Sequence, residues 1–242
     1  MKKGILLQRG KYERRTSRQG AVYRPSAGYR ELIPFALYFI LYLLWFGWLE
    51  ERHVRKYQVI HVFLDDYIPF CEWFIIPYLL WFLYVPAAVL YAAFRSRDEY
   101  IRSAMFLCTG MTVFLLVSTF FPNIQHLRPA VMPRDNALTR LVSLLERMDT
   151  PTNLWPSIHV YNSIGSHIAI SRCLRENKRT VRACSFVLCV SIILSTMFLK
   201  QHSVFDVVTA FVLAGAMYGI LYRHDLPAVI RQREKKSYVR NS

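Results

Sequence analysis

Six runs of apolar residues, divided by short polar segments, constrain this chain more than any other feature of its sequence. A helix needs about 20 mostly apolar residues to cross the hydrocarbon core of a bilayer, and all but the fourth run approach that length. The fourth run is shorter and more polar. The pattern predicts an all-α, polytopic membrane protein, a bundle of six transmembrane helices. The predicted spans are 32–49, 73–94, 103–121, 157–171, 183–199 and 203–222.

The net charge of +15 and the hydrophobic content of 54% narrow the class of protein further. Evenly mixed, such a composition would be typical of a basic globular protein that binds nucleic acid. Here the apolar and basic residues are segregated and no recognition module accompanies the charges, so we predict no nucleic-acid partner. The content of Leu, Ile, Val and Phe excludes intrinsic disorder. Five cysteines, an odd number lying mostly inside apolar runs, do not indicate a disulfide framework.

The distribution of basic residues predicts the orientation in the membrane. Of the 31 Lys and Arg residues, 23 lie in the two tails and in the segments after the second and fourth spans, and eight lie in the other three connecting segments. The positive-inside rule places the richer set, with both termini, in the cytoplasm. Residues 5–7 are too short an apolar stretch for a cleaved signal peptide. We therefore expect a multi-pass protein, of the plasma membrane, whose connections after spans one, three and five face away from the cytoplasm.

This topology divides the chain into three parts. Residues 1–31 form a basic cytoplasmic tail, 32–222 the membrane domain, and 223–242 a second basic cytoplasmic tail. The tails are expected to fix topology and to attract anionic lipid headgroups. Their basic residues include Arg14, Arg15, Arg18, Arg24, Arg231, Arg233, Lys235 and Lys236.

Three polar clusters lie at the predicted outer face, at 121–129, 153–159 and 195–206. Ionisable residues in or beside membrane spans are costly and usually functional. In the third cluster His202 and Asp206 are four residues apart, so they share one helical face. A carboxylate that binds one ring nitrogen of a histidine fixes the tautomer and leaves the other nitrogen nucleophilic. Neutralisation of a buried histidine fits this spacing equally well.

The other two clusters hold groups that suit a phosphate. Pro156 and Ser157 are typical of a helix start, and a helix N-terminus presents free N–H groups to an anion. His159 lies in that first turn; the alternative is a core histidine bonded to a neighbour. Arg128 offers a planar fork that matches phosphate oxygens, or else anchors the chain at the interface. Three separate segments bring such residues to one face, which favours a shared site.

The ordered motifs resemble those of the type 2 phosphatidic acid phosphatase superfamily, whose members are membrane-bound lipid phosphatases and phosphotransferases. The resemblance rests on Arg128-Pro129, on Pro156-Ser157-Ile158-His159, and on Ser195 followed by His202 and Asp206. It implies that His202 is the nucleophile that forms a phosphohistidine, that Asp206 orients it, and that His159 protonates the leaving alkoxide and later activates water or an alcohol. Arg128, Ser157 and backbone N–H groups would hold the phosphate oxygens. The resemblance implies no metal and no cofactor, and membrane lipids as substrates.

The chain departs from the family pattern at three positions. Phe121 stands where the first motif has Lys, Ile158 where the second has Gly, and Thr196 where the third has Arg. Two phosphate-binding cations are therefore missing, and Lys200 either replaces one or extends to the membrane surface. With this reduced set of phosphate-binding cations, the chain resembles the branch of the family that includes sphingomyelin and inositol-phosphorylceramide synthases.

Several functions stay open at this point. The first is a lipid phosphatase acting at the outer face, which includes undecaprenyl-pyrophosphate phosphatases because they share the three motifs. The second is a phosphotransferase that passes an inositol-phosphoryl or cholinephosphoryl group to a lipid alcohol. The third is a lipid-binding protein without catalysis that retains the motifs. Nothing in the sequence predicts the oligomeric state.

Two further segments of the outer loops carry expectations. Residues 136–148 have the spacing of an amphipathic helix lying at the interface over the site, as a lid or as simple packing. Asp65, Asp66 and Glu72 precede the second span. They fit caps at the interface, or groups that contact a lipid headgroup.

Overall fold

A computed structural model describes residues 26–174 and 178–223 of the chain. These residues are mostly helical, as predicted, with one pair of two-residue parallel strands, β1 and β2, and one isolated bridge between Ile124 and Thr152. A short 3₁₀ turn, Glu72–Phe74, precedes the third helix. The elements are α1 (Tyr29–Glu51), β1 (Gln58–Val59), α2 (Leu64–Tyr67), α3 (Ile75–Arg95), α4 (Arg97–Phe120), β2 (Asn123–Ile124), α5 (Ala137–Met148), α6 (Ile158–Cys173), α7 (Arg179–Phe198) and α8 (Val204–Arg223).

Five helical segments within the described residues are long and apolar enough to cross a membrane. They indicate a multi-pass membrane protein and correspond to the first, second, third, fifth and sixth predicted spans. The fourth predicted span is α6, which has only 16 residues and carries many polar side chains. Length and composition therefore do not establish the fourth predicted span. The basic residues predicted to bind anionic lipids in the two tails lie outside the described residues.

Helix α6 lies at the centre of the bundle and contacts α3, α4, α7 and α8. Its crossing with α4 is close because each helix sets a glycine against a ring of the other. The Tyr161 ring covers Gly110, and the Phe106 ring covers Gly165. The two rings stack with centroids 4.5 Å apart, and the Tyr161 hydroxyl donates to the Phe106 carbonyl at 2.9 Å. Small residues at such crossings let helix backbones approach closely.

We expect Gly110→Ala to destabilise the protein. A Cβ at this position would lie 2.0 Å from Cε1 of Tyr161, and a buried ring cannot move without displacing its neighbours. Overpacking of this kind costs about 1–3 kcal/mol. The thermal unfolding temperature in detergent measures the effect. Gly47→Ala is the matched control, because a Cβ there meets no atom within 4 Å. Equal melting temperatures for the two variants would contradict the described crossing.

The connecting segments join the bundle at two ends. At one end the carboxylate of Glu31 pairs with Arg97, and Glu99 pairs with Arg102 and Arg172. At the opposite end the amide of Cys71 donates to the carbonyl of Phe198, and β1 pairs with β2. The three predicted polar clusters all lie at this second end, which we call the site end.

The helix predicted at 136–148 is present as α5. Asn136 caps it, with its side-chain oxygen accepting from the amides of Leu138 and Thr139. Val142 is fully buried against Ile75, Tyr78 and Leu199. The segment before α5 is fastened by the buried carboxylate of Glu72, which accepts from Arg134 and from the side chain of Asn136. Glu72 therefore ties the start of α5 to the start of α3.

Candidate active site

The first turn of α8 combines a helix cap with a histidine–carboxylate pair. Oδ2 of Asp206 lies 3.3 Å from Nδ1 of His202 and accepts from the amide of Ser203 at 3.0 Å. The Ser203 hydroxyl in turn accepts from the amide of Phe205. Ser203 and Asp206 thus form a variant of the capping box, in which two side chains of the first turn satisfy its free N–H donors. The same carboxylate that closes the helix therefore orients His202.

The loop before His202 is a tight turn. Lys200 has φ of 58°, in the left-handed region. This conformation brings the amides of both Gln201 and His202 to the carbonyl of Thr196, each at 2.9 Å. A left-handed residue other than glycine costs about 1–2 kcal/mol, and these hydrogen bonds offset that cost. The turn fixes the backbone that carries His202.

His159 meets His202 from the first turn of α6. Ser157 begins this helix, with its hydroxyl accepting from the amide of Val160. Nδ1 of His159 lies 3.4 Å from Nε2 of His202. The Tyr78 and Trp81 rings of α3 pack against the His159 ring, with centroids 4.7 and 4.4 Å away. The helix start and the aromatic rings therefore hold His159 against the second histidine.

The three groups make a continuous line from Asp206 through His202 to His159. The carboxylate occupies the Nδ1 side of His202, so Nε2 is the nitrogen that faces the other histidine. Oδ1 of Asp206 and Nε2 of His159 are buried and have no hydrogen-bond partner among the described residues. The sequence predicts these three residues at one face of the protein, and the structure brings them into contact. Such a line of groups has the chemistry for nucleophilic attack by one histidine and proton transfer by the other.

Arg128 lies beside this line but is bound to protein acceptors. Nη2 donates to Oε1 of Gln201 at 2.6 Å, and Nη1 donates to the carbonyl of Asp149 at 2.7 Å. Weaker contacts reach the carbonyls of Glu146 and Thr150. Its Nε is buried without a partner among the described residues. Arg128 thus links the end of α5 to the residue before His202, and its predicted phosphate contact stays a prediction.

Ser157 and Lys200, the other predicted phosphate-binding residues, have different surroundings. The amide of Ser157 donates to the carbonyl of Asp206 at 3.4 Å, which places this residue beside the line of catalytic candidates. The ammonium of Lys200 donates to the carbonyl of Asp65 at 2.7 Å. Burial lowers the pKa of Lys200, and Asp65 and Asp66 act in the opposite direction. The structure directs Lys200 toward Asp65, in the segment between α1 and α3.

Asp149 is a carboxylate near the site that the sequence does not single out. Burial raises the pKa of its carboxyl group, while the nearby Arg128 and His202 act to lower it. It directly follows α5, whose last turn binds Arg128. Because Asp149 and His202 are far apart along the chain, no local pattern predicts their approach.

The sequence offers Asp65 as a cap at the interface or as a contact for a lipid headgroup, but it does not show which segment Asp65 would cap. It is buried, and it accepts from the hydroxyl of Ser203 at 2.6 Å and from the amide of Val204 at 2.8 Å. A carboxylate at a helix N-terminus stabilises the free N–H groups there. Asp65 therefore fixes the start of α8 from a loop much earlier in the chain. The capping box itself, Ser203 to Asp206, is a recognisable signal in the sequence.

We expect Asp65→Asn to lower turnover by about tenfold, because a displaced helix start moves His202 relative to His159 and small misplacements of reacting groups are costly. An amide keeps one acceptor oxygen where the carboxylate offers two, so one of its two hydrogen bonds to α8 is lost. Initial rates on a lipid phosphate, the substrate class that the sequence motifs predict, measure the effect. Asp66→Asn is the control, since Asp66 is exposed and its carboxylate contacts only His61 in the described side-chain hydrogen bonds. Equal rates for both variants would contradict this role for Asp65.

Comparison with known families agrees with the motifs. The family model of the PAP2 superfamily matches residues 103–227, which include the starts of α6 and α8 and therefore Arg128, His159, His202 and Asp206. No curated protein matches the chain at a significant level. The match covers more than half of the sequence and confirms the resemblance drawn from the three motifs.

Proposed function

The chain belongs to the PAP2 superfamily, and from this premise we propose that it is an integral-membrane lipid phosphatase that works through a phosphohistidine. The observation that carries the proposal is the line from Asp206 through His202 to His159. Family membership together with apolar helices indicates a lipid phosphatase type of function; the reaction and its intermediate are our proposal.

In the first step Nε2 of His202 attacks the phosphorus of the lipid phosphate. A bond forms between Nε2 and phosphorus, and the bond from phosphorus to the ester oxygen breaks. Asp206 stabilises the positive charge that develops on the His202 ring. His159 donates a proton to the departing alkoxide, acting as a general acid. Since the two rings are in contact before substrate binds, they have to separate to admit the phosphoryl group.

In the second step His159 takes a proton from water, which attacks the phosphohistidine and releases inorganic phosphate. An alcohol in place of water would complete a transfer instead. Ser157, Arg128 and backbone N–H groups are the proposed partners of the phosphate oxygens, and Arg128 would exchange its present protein acceptors for them. Its buried Nε, which has no partner among the described residues, supports this assignment.

We further propose that α6 completes a six-span bundle and that the protein lies in the plasma membrane. The charge distribution supports a cytoplasmic location for both tails, where they bind anionic lipid headgroups. It also supports an extracytoplasmic location for the site end of the bundle. On this topology the enzyme acts on lipids of the outer leaflet.

A headgroup phosphotransferase is the second candidate. Phe121 and Thr196 stand where the family motifs have cations, and neither side chain carries a charge. Phe121 is exposed, and Thr196 is buried with its hydroxyl donating to the carbonyl of Ile193. A phosphodiester carries less charge than a phosphomonoester and needs fewer cations. The reduced set therefore favours transfer of a headgroup phosphate from a phospholipid to a lipid alcohol.

One experiment separates these functions. The full-length protein in detergent is mixed with phosphatidic acid labelled at phosphorus or with a labelled phosphatidylcholine or phosphatidylinositol, with and without ceramide or diacylglycerol. We expect label on the peptide that contains His202, stable to alkali and lost in acid as a phosphoramidate is. Release of inorganic phosphate indicates a phosphatase, and a labelled new lipid indicates a transferase. Binding of lipid without labelled protein or product would support the non-catalytic alternative.

A further inference from the structure

Helix α5 carries two apolar stripes, of which the described part of the protein covers only one. Leu138, Val142 and Leu145 pack toward the core. On another face Leu141, Leu144 and Met148 are 36%, 53% and 78% exposed. These three residues are spaced by three and four positions, so they lie on one side of the helix. An uncovered apolar stripe beside a packed one needs a partner outside this fold.

Basic residues border the exposed stripe. Arg134, Arg140 and Arg147 line a groove of about 650 Å³ together with Leu144 and the apolar segment 131–133. Val131 in that segment is 83% exposed. The groove thus offers guanidinium groups and apolar side chains side by side, which is the combination that binds a lipid headgroup and the first part of its acyl chains.

The charges of the groove leave a surplus of one cation. Glu72 matches the charge of Arg134. Asp135 pairs with Arg140, but both side chains are largely exposed, and such pairs contribute little. Arg147 makes no hydrogen bond or ion pair with any described residue. A phosphodiester with one negative charge complements this surplus, and the arginine fork suits its oxygens.

We propose that this groove binds the headgroup of an anionic phospholipid, at a site separate from the two histidines. The position of α5 supports a membrane lipid as the occupant, because the helix packs at the end of the bundle against Ile75, where the second apolar segment begins. The last turn of the same helix binds Arg128. A lipid in the groove therefore steadies the segment that holds Arg128 beside the catalytic line.

The test measures binding directly and does not depend on catalysis. Delipidated full-length protein in detergent is titrated with dioleoyl-phosphatidylglycerol or dioleoyl-phosphatidylcholine, and the unfolding temperature is recorded. We expect the anionic lipid to raise it by about 5 °C at a large excess over the dissociation constant. The zwitterionic lipid should have a much smaller effect, and soluble glycerol 3-phosphate none.

Variants assign the effect to the groove, since the basic tails also attract anionic lipids. A double variant, with Arg140→Gln and Arg147→Gln, should lose a clear part of the lipid-induced rise in unfolding temperature. In native mass spectrometry it should retain one phosphatidylglycerol molecule fewer. Arg55→Gln is the control, because Arg55 is an exposed arginine in the segment between α1 and α3. This variant should keep the full rise in unfolding temperature and the full number of bound lipids. The proposal is overturned if the double variant keeps the full shift and lipid count, or if glycerol 3-phosphate or phosphatidylcholine matches phosphatidylglycerol. Catalytic activity enters neither readout, so failure of the proposed reaction would leave this result interpretable.

Discussion

A His202→Gln variant is expected to lose lipid turnover by about 10⁴-fold or more, the size of effect seen when an enzyme loses its nucleophile. Glutamine has no nitrogen that can attack phosphorus in place of Nε2, so no covalent intermediate forms. The backbone hydrogen bond from residue 202 to the carbonyl of Thr196 does not involve the side chain, and the turn should therefore persist. Release of phosphate or transfer of label from a lipid measures the loss.

The control for this variant is His61→Gln. His61 is an exposed histidine in the segment between α1 and α3 whose Nε2 contacts Asp66, and it does not touch the described line of groups. Its turnover should match that of the unmodified protein. If His202→Gln kept more than a small fraction of the rate, a different group would have to be the nucleophile, and the proposed intermediate would be wrong.

Asp206→Asn is expected to have the second largest effect, a fall in turnover of about 10²–10⁴-fold. The amide lacks the charge that stabilises the developing imidazolium of His202. It can also present an N–H to Nδ1, which favours the tautomer with a proton on Nε2. The same change in the catalytic triad of a serine protease lowers kcat by about 10⁴ for this reason. Because one oxygen of Asp206 serves both His202 and the amide of Ser203, an amide that presents its N–H to Nδ1 gives up the hydrogen bond from Ser203, and the helix start is weakened.

Stability distinguishes this electrostatic effect from simple unfolding. Loss of a good helix cap costs about 1 kcal/mol, which is far too little to account for the expected fall in rate. The unfolding temperature of Asp206→Asn should therefore stay within a few degrees of the unmodified protein. A rate loss that only parallels a large fall in unfolding temperature would argue against the orienting role.

Much of the fold follows from hydropathy, because long apolar runs have few alternatives to helix in a membrane. The pairing of His202 with Asp206 agrees with their four-residue spacing, although His202 lies in the turn before α8 and not in the helix. The approach of His159 follows from two helices that begin at the same end of the bundle. The fourth predicted span, which is helix α6, gives a weaker hydropathy signal, since a helix surrounded by other helices does not need a fully apolar surface. Gly165 of α6 faces α4, and His167 contacts Ser185 of α7.

The contacts that the sequence could not predict join distant segments through single side chains. Asp65 reaches α8 from a loop between the first two spans. The sequence predicts that Arg128 offers its fork to a phosphate, whereas in the structure it binds the carbonyl of Asp149 and the side chain of Gln201. Such contacts depend on how loops fold over the end of a bundle, and no periodic pattern in the sequence predicts them.

The capping box at Ser203 has one consequence for how this protein would respond to heat. One oxygen of Asp206 serves both the helix start and the His202 ring. Fraying of a single helical turn, a local opening that costs much less than global unfolding, would therefore disconnect the ring while the rest of the bundle stayed intact. On heating, turnover should therefore be lost at a lower temperature than the helical signal.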